Sequence, residues 1–302
     1  ELGLHPLAIQ TLAGMIKSAA AKGTQVIIAT QSADLITNFD AEDVITVNQI
    51  DGVSVMRRHS SEELNAWLDD YTLGDLWKQN ILRAAKMKRL IIICEGPTEQ
   101  AFCNDVLHGH LLTKDIVLEA PTIKHSNGGI VAWDTLKKQI VRHLNEGNSI
   151  ASLFVDYYRI RDSYHFPGWM ESKSINNIYD RMHFLFEQMS LDIDENLRSR
   201  FIPYIQLHEF EGLLFSNIAV FQNNFTKQEL DFQQLEDAIN SVKTPEEINN
   251  GPATAPSERL KKAIKGYDKV VYGACLASDI GLNTIREKCI LFNEWVMKLE
   301  TC

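Results

Sequence analysis

From residue 87 onward, short apolar runs of strand length alternate with segments of helical periodicity. The strand-like runs are 89–94, 116–120, 150–155 and 201–207. The helical segments are 98–107, 129–145, 174–188, 227–242, 257–264 and 282–299. Because strands separated by helices favour parallel pairing, this pattern predicts an α/β fold with a mostly parallel, doubly wound sheet flanked by helices.

The first part of the chain carries a second, smaller α/β pattern. A helix is predicted at 7–22, a buried parallel strand at 25–30, and two strands at 43–48 and 53–58 around the Asp51-Gly52 turn. Helices at 60–67 and 72–82 follow. A Met and two basic residues then precede a new buried strand, which places a domain boundary near 84–87. The predicted domains are 1–86 and 87–302. Their junction is read either as a join between two normally separate polypeptides or as an ordinary linker.

The charge balance narrows the classes of function. With 30 Lys and Arg against 40 Asp and Glu, the net charge of −10 argues against a passive nucleic-acid coat protein, which would be basic throughout. An enzyme whose carboxylates hold metal ions stays compatible with it. No apolar run is long enough for a membrane span, and the five cysteines are scattered without a zinc-like spacing. These features predict a cytoplasmic protein with reduced thiols and no membrane partner.

Acidic residues follow three of the predicted strands. Glu95 and Glu99 flank a tight turn after the first strand, Asp156 follows the third, and Glu209 and Glu211 alternate after the fourth, where an extended backbone would place both on one face. The carboxyl ends of parallel strands gather at one edge of a sheet. Clustered carboxylates repel unless a cation holds them, and hard oxygen ligands favour Mg²⁺ or Mn²⁺. The pattern predicts a shared metal site. The alternative interpretation of a strand-end Glu is that it caps the following helix.

These passages resemble a TOPRIM-type domain, in particular a domain-of-unknown-function family that is encoded beside ABC-type ATPases. In the OLD-family nucleases, too, an ABC-type ATPase is joined to such a domain. The matching strings are Glu95-Gly-Pro-Thr-Glu99, Val155-Asp-Tyr-Tyr158, Gln206-Leu-His-Glu-Phe-Glu211, Ala255-Pro-Ser-Glu-Arg-Leu260 and Gly266-Tyr-Asp-Lys269. The resemblance implies cleavage of DNA or RNA phosphodiesters by a strand-end Glu and an Asp-x-Asp pair with Mg²⁺. Tyr158 stands at the second Asp of that pair, which leaves Asp162, Glu209 or Glu211 to complete the ligand set.

A cation that stabilises the transition state is also expected. In OLD-like enzymes a late lysine has this role, so Lys261, Lys262 and Lys269 are candidates. Lys269 is preferred because it follows a Gly-Tyr turn and leads into an apolar segment. For Lys261 and Lys262, a solvated helix face is the better explanation. The catalytic set predicted in this way is Glu95, Asp156 and Lys269. Two arginines after the third strand, Arg159 and Arg161, are further candidates for phosphate contacts.

The first 82 residues resemble the C-terminal portion of ABC/SMC-like AAA ATPases. The resemblance is carried by segments 1–6, 26–32 and 67–77. It implies that His5 lies in a loop crossing a dimer interface and that Gln31 stands at the γ-phosphate sensor position; each is otherwise a polar residue at the end of an element. The sequence contains no Gly-x-x-x-x-Gly-Lys-Ser/Thr motif to cradle phosphates. ATP is therefore expected only with an intact ATPase partner, and a homodimer is one arrangement that the resemblance implies.

Taken together, the sequence predicts a metal-dependent nuclease that works with an ABC-type ATPase in prokaryotic anti-phage defence. Two alternatives stay open. One is a non-catalytic sensor or docking module for the ATPase, which Tyr158 favours. The other is a phosphatase or nucleotide hydrolase that uses the same metals on a smaller substrate.

Overall fold

The computed structural model describes residues 4–50, 53–79, 81–82, 88–124, 129–248 and 254–302. The chain forms two compact units, Glu1–Met87 and Lys88–Cys302. The predicted junction at 84–87 lies outside the described residues.

The smaller unit contains four helices and one hairpin in its described part. The helices are α1 (Pro6–Ala21), α2 (Ala33–Ile36), α3 (Ser61–Leu68) and α4 (Leu73–Lys78). Strands β1 (Ile45–Ile50) and β2 (Val53–Arg58) pair antiparallel, as the hairpin pattern predicted, while the Asp51-Gly52 turn lies outside the described residues. The predicted buried strand at 25–30 is wrong: these residues belong to no strand, and Ile27 is 87% exposed. Strand propensity alone does not form a strand when no neighbouring strand pairs with it.

The larger unit is built on a parallel sheet of four strands in the order β4-β3-β5-β6. The strands are β3 (Lys88–Cys94), β4 (Ile116–Glu119), β5 (Ile150–Phe154) and β6 (Phe201–Ile202). The predicted α/β class and the mostly parallel sheet are thereby confirmed. Strand β6 is shorter than the strand predicted at 201–207. Beyond the ends of β5 and β6, an isolated parallel bridge between Asp156 and Gln206 continues the pairing of these two segments.

Helices surround this sheet, and they differ in several places from the helices that the sequence predicts. They are α5 (Pro97–Phe102), α6 (His108–Leu112), α7 (Trp133–Leu144), α8 (Trp169–Ser172), α9 (Ile178–Leu191), α10 (Glu195–Arg198), α11 (Ile218–Asn224), α12 (Phe232–Asn240), α13 (Pro256–Ala263), α14 (Lys269–Ile280), α15 (Leu282–Lys288) and α16 (Ile290–Thr301). A π turn at Cys103–Leu107 interrupts the helix predicted at 98–107, and Cys289 separates the two helices predicted as one at 282–299. Helix α14 was not predicted. None of the described helices is long and apolar enough to cross a bilayer.

Helix α16 packs against the sheet through an aromatic cluster. Trp295 stacks on Tyr204 with ring centroids 4.4 Å apart, and its indole N–H donates to the Ser152 hydroxyl on β5 at 2.8 Å. Both aromatic side chains are almost fully buried. This dense packing beneath β5 fixes the strand ends that carry the acidic residues.

A buried acid caps the start of α16 from a distance in sequence. Glu246 is 1% exposed, and its two carboxyl oxygens accept from the backbone N–H groups of Leu291 and Phe292 at 3.0 and 2.9 Å. Burial outweighs these bonds and raises the pKa of Glu246 to about 7.

Glu246 therefore makes the stability of the protein depend on pH. The folded state keeps this proton up to about pH 7, whereas the unfolded chain releases it near the ordinary glutamate pKa of 4.5. The free energy of unfolding is expected to fall as pH rises through this window, by roughly 3 kcal/mol. Urea unfolding of the wild type and Glu246→Gln at pH 4.5 and 7.5 measures the effect. The advantage of the wild type over the variant is larger at pH 4.5; a difference independent of pH would contradict the prediction.

Candidate active site

The turn after β3 fixes the first two carboxylates. Gly96 lets the chain turn directly into α5, and its N–H donates to Glu99 Oε2 at 2.9 Å. Glu95 Oε2 accepts from the N–H of Asp156 at 2.9 Å, which ties the end of β3 to the end of β5. Both glutamates are buried, so backbone hydrogen bonds determine where their remaining oxygens point.

Asp156 and Glu211 enter the same space from the other side. Asp156 follows β5 and is fully buried, and its Oδ1 accepts from the N–H of Phe210 at 2.9 Å. Phe210 begins a 3-10 helix, Phe210–Ser216, whose second residue is the fully buried Glu211. Neither Asp156 Oδ2 nor Glu211 Oε1 accepts a hydrogen bond from the residues that the structure describes. Such orphaned buried oxygens are uncommon in folded proteins and point to a ligand.

Lys269, the first residue of α14, brings a cation to these oxygens. Its Nζ lies 3.2 Å from Glu211 Oε2, 3.5 Å from Glu99 Oε1 and 3.7 Å from Asp156 Oδ2. The three carboxylates come from a 3-10 helix, from α5 and from the loop after β5. We call Glu95, Glu99, Asp156 and Glu211 together the carboxylate cluster. The sequence predicted all four, and the structure brings them together around the predicted lysine.

Burial dominates the electrostatics of the carboxylate cluster. It raises the pKa of Glu95, Asp156 and Glu211, and neighbouring carboxylates raise them further. Burial alone would lower the pKa of Lys269, but the surrounding carboxylates outweigh it and raise that pKa. One ammonium thus offsets part of the negative charge of these buried side chains.

Arg159 marks the open side of the cluster. Its Nε lies 3.8 Å from Glu95 Oε1, and its side chain is 54% exposed while that of Glu95 is 7% exposed. The adjacent Tyr158 is 41% exposed, and Arg161 lies over the ring of Tyr164 at 5.9 Å. The loop after β5 therefore presents Arg159 to solvent beside Glu95, and neighbouring residues of the loop carry the exposed Tyr158 ring and Arg161.

Three other predicted residues lie elsewhere. Asp162 accepts from the Lys173 ammonium at 2.6 Å and the Trp169 indole at 2.8 Å, so it does not complete the cluster. Lys261 pairs with Glu258 at 2.8 Å on an exposed helix face, and Lys262 is exposed beside it. The solvated-face interpretation therefore fits both lysines of α13.

Glu209 is buried near the cluster but has a different partner. Its Oε2 accepts from the N–H of Ser257 at 3.0 Å, at the start of α13. The extended backbone expected through 209–211 is wrong because a 3-10 helix begins at Phe210, after His208 takes a left-handed conformation with φ of 65°. The two glutamates consequently do not share a strand face.

A divalent metal fits the chemistry of the cluster. The donors are all carboxylate oxygens, which Mg²⁺ and Mn²⁺ prefer, and three of them, Asp156 Oδ2 and both oxygens of Glu211, accept no hydrogen bond in the described part of the chain. Within that same part, no three Asp, Glu, His or Cys side chains are placed so that they could hold a metal ion together. The Lys269 ammonium lies among the carboxylate oxygens at 3.2 to 3.7 Å, whereas Mg²⁺ requires oxygens at about 2.1 Å.

The two residues predicted to bind nucleotide lie in the smaller unit. His5 caps α1, with its Nδ1 accepting from the N–H of Leu7 at 3.2 Å. Gln31 offers its backbone carbonyl to the Trp77 indole at 3.2 Å. Both residues therefore have local contacts, as expected of polar residues at the ends of structural elements.

Sequence reasoning missed how closely α14 approaches the site. A Cβ on Gly273 would lie 2.7 Å from Thr98 Cγ2 on α5, so only glycine permits this helix contact. Tyr267, just before α14, has a buried hydroxyl without a hydrogen bond to the described residues, and burial raises its pKa. Small residues along 273–278 were the available signal for a closely packed helix.

Comparison with known proteins identifies the family of the larger unit. A family model described as "Domain of unknown function (DUF4276)" matches residues 94–300, more than half of the chain. The chain therefore belongs to the DUF4276 family. No curated protein and no solved structure matches it.

Proposed function

We propose that this DUF4276 chain hydrolyses phosphodiester bonds of DNA or RNA with the help of Mg²⁺ or Mn²⁺, at the carboxylate cluster of its larger unit. One observation carries the proposal: four buried carboxylates from separate elements converge on one place with a single lysine among them. Burying such charges costs free energy that a packed apolar core would not. An arrangement unfavourable for folding favours a functional explanation.

The residues of the chain divide the work by position. Glu95, Glu99, Asp156 and Glu211 are the groups that would hold the metal. When bound, the metal supplies an activated water and neutralises charge on the phosphate. Lys269, which lies beside three of these carboxylates, would offset the negative charge that develops during hydrolysis.

Nucleic acid is the substrate class that the rim of the site supports. Arg159 and Arg161 offer charge-assisted hydrogen bonds to phosphates, and the exposed ring of Tyr158 offers a surface for stacking a base. These groups are needed because the chain as a whole carries a net charge of −10 and repels a polyanion. The resemblance to TOPRIM domains supports the same assignment.

The wider setting follows from the resemblance of the smaller unit. We infer an ABC-type ATPase as partner, with ATP bound only by an intact ATPase, and assembly through a homodimer as one arrangement. A cytoplasmic role in anti-phage defence is part of this proposal.

The test is cleavage of plasmid, single-stranded DNA and tRNA by the full chain with Mg²⁺, Mn²⁺ or EDTA. We expect metal-dependent cleavage of at least one polymer, and a loss of at least about 100-fold in Glu95→Gln because a strand-end carboxylate in contact with the metal is removed. Glu187→Gln, an exposed glutamate on α9, is the matched control and keeps full activity.

Other outcomes would change the assignment. Hydrolysis of mononucleotides without cleavage of polymers would replace the nuclease by a nucleotide hydrolase. Metal binding without any hydrolysis, alone and with an intact ATPase, would favour the docking module, in agreement with Tyr158 at the position of the second Asp.

A further inference from the structure

The Lys269 ammonium lies at the place on which the free oxygens of the cluster converge. Glu99 and Asp156 each have one oxygen held by a backbone N–H, at 2.9 Å in both cases. Their other oxygens, together with Glu211 Oε2, lie 3.2 to 3.7 Å from Nζ. Since the backbone bonds fix the orientation of these carboxylates, they have few other directions in which to bind a cation.

An ammonium and a divalent ion cannot share this place. Metal–oxygen distances of about 2.1 Å would bring the ion within van der Waals distance of Nζ, with strong charge repulsion between the two. Either the lysine stays and the metal is excluded, or the metal binds and the lysine leaves.

The exposures show which group is able to leave. The Lys269 side chain is 31% exposed, whereas those of Glu99, Asp156 and Glu211 are between 0 and 3% exposed. The lysine has an exit to solvent on a long, unbranched side chain. The three carboxylates are enclosed, and those of Glu99 and Asp156 are also held by backbone N–H groups.

We propose that Lys269 is an internal counter-ion that competes with the metal for the carboxylate cluster and swings outward when the metal binds. The inference rests on the metal site of the proposed function and adds how that site is regulated. In the metal-free protein the ammonium keeps the cluster folded and blocks adventitious cations. Once expelled, it lies at the mouth of the site, where the phosphate of a substrate would arrive.

The competition between Lys269 and the metal is tested by measuring the binding of Mn²⁺ alone, with electron paramagnetic resonance reporting the concentration of the free ion. Removing the counter-ion in Lys269→Met is expected to tighten Mn²⁺ binding by the full chain at least tenfold, while Lys269→Arg keeps weak binding. Lys261→Met, which removes an exposed lysine of α13, leaves the affinity unchanged. Equal or weaker Mn²⁺ binding in Lys269→Met overturns the proposal.

A second measurement needs no variant. Amine labelling of the wild-type chain, read by mass spectrometry, is expected to increase at Lys269 when Mn²⁺ is added and to stay constant at Lys261. Labelling of Lys269 that does not respond to bound Mn²⁺ overturns the exchange even if Lys269→Met fails to fold. Absence of Mn²⁺ binding in every variant overturns the metal site as well, whereas binding without a lysine effect overturns only the exchange.

Discussion

Asp156→Asn is expected to lower phosphodiester hydrolysis by at least about 1,000-fold while the metal-free protein becomes about 1 kcal/mol more stable. Asn Oδ1 can keep the hydrogen bond from the N–H of Phe210, so the loop after β5 stays in place. The substitution removes a fully buried charge whose pKa is raised by burial and by three neighbouring carboxylates. The same charge is the metal ligand that the proposed chemistry requires.

A loss of activity together with a gain in stability identifies Asp156 as a functional residue. Urea unfolding in EDTA measures stability, and cleavage of the preferred polymer with Mg²⁺ measures activity. Asp105→Asn, at an exposed position of the π turn after α5, is the matched control and changes neither quantity. With saturating metal the order of stability reverses, because a ligand that binds only the folded state stabilises the wild type more. An Asp156→Asn protein that is both destabilised in EDTA and fully active would contradict the assignment.

The sequence was informative where a local pattern decides the structure. Buried apolar runs ending in an acid predicted β3, β5 and the positions of Glu95 and Asp156, since an apolar run buried on both faces has few alternatives to a parallel sheet. The turn glycine after β3 and the helical pattern from residue 98 predicted a helix that carries Glu99, and in the structure this helix, α5, begins one residue earlier, at Pro97. These residues needed no knowledge of distant contacts.

Elsewhere tertiary contacts overrode local preference. The segment 25–30 has strand propensity but pairs with no other described strand, and it stays exposed. Glu209 and Glu211 alternate as in a strand, yet Asp156 holds the N–H of Phe210 and a 3-10 helix follows. Helix α14 was not predicted because most residues at 273–278 are small. Its close contact through Gly273 becomes visible only beside Thr98.

The balance of charge in the carboxylate cluster links the residues that the sequence predicted to the arrangement that it did not predict. Sequence reasoning placed Lys269 near a transition state, and the structure shows its Nζ within 3.7 Å of three carboxylates of the protein itself. Among the described residues of the cluster, negative charge exceeds positive charge. Removing a carboxylate should therefore relieve the folded state, and removing the lysine should strain it.

Lys269→Met is accordingly expected to lower the free energy of unfolding by about 2–4 kcal/mol in EDTA at pH 7.5. Loss of one partner from a buried ion pair leaves the other uncompensated, although partial exposure of Lys269, at 31%, reduces the cost from the upper end of the usual range.

Adding Glu211→Gln to Lys269→Met should restore more than half of the loss, because one of the uncompensated charges is then removed. Urea unfolding of both single variants and the double variant gives the coupling between the two side chains. The exposed pair Lys261 and Glu258 supplies the matched cycle, in which Lys261→Met leaves the free energy of unfolding nearly unchanged because solvent screens the pair. Additive effects of Lys269→Met and Glu211→Gln would mean that the ammonium does not stabilise the cluster, and Mn²⁺ would then have no counter-ion to displace.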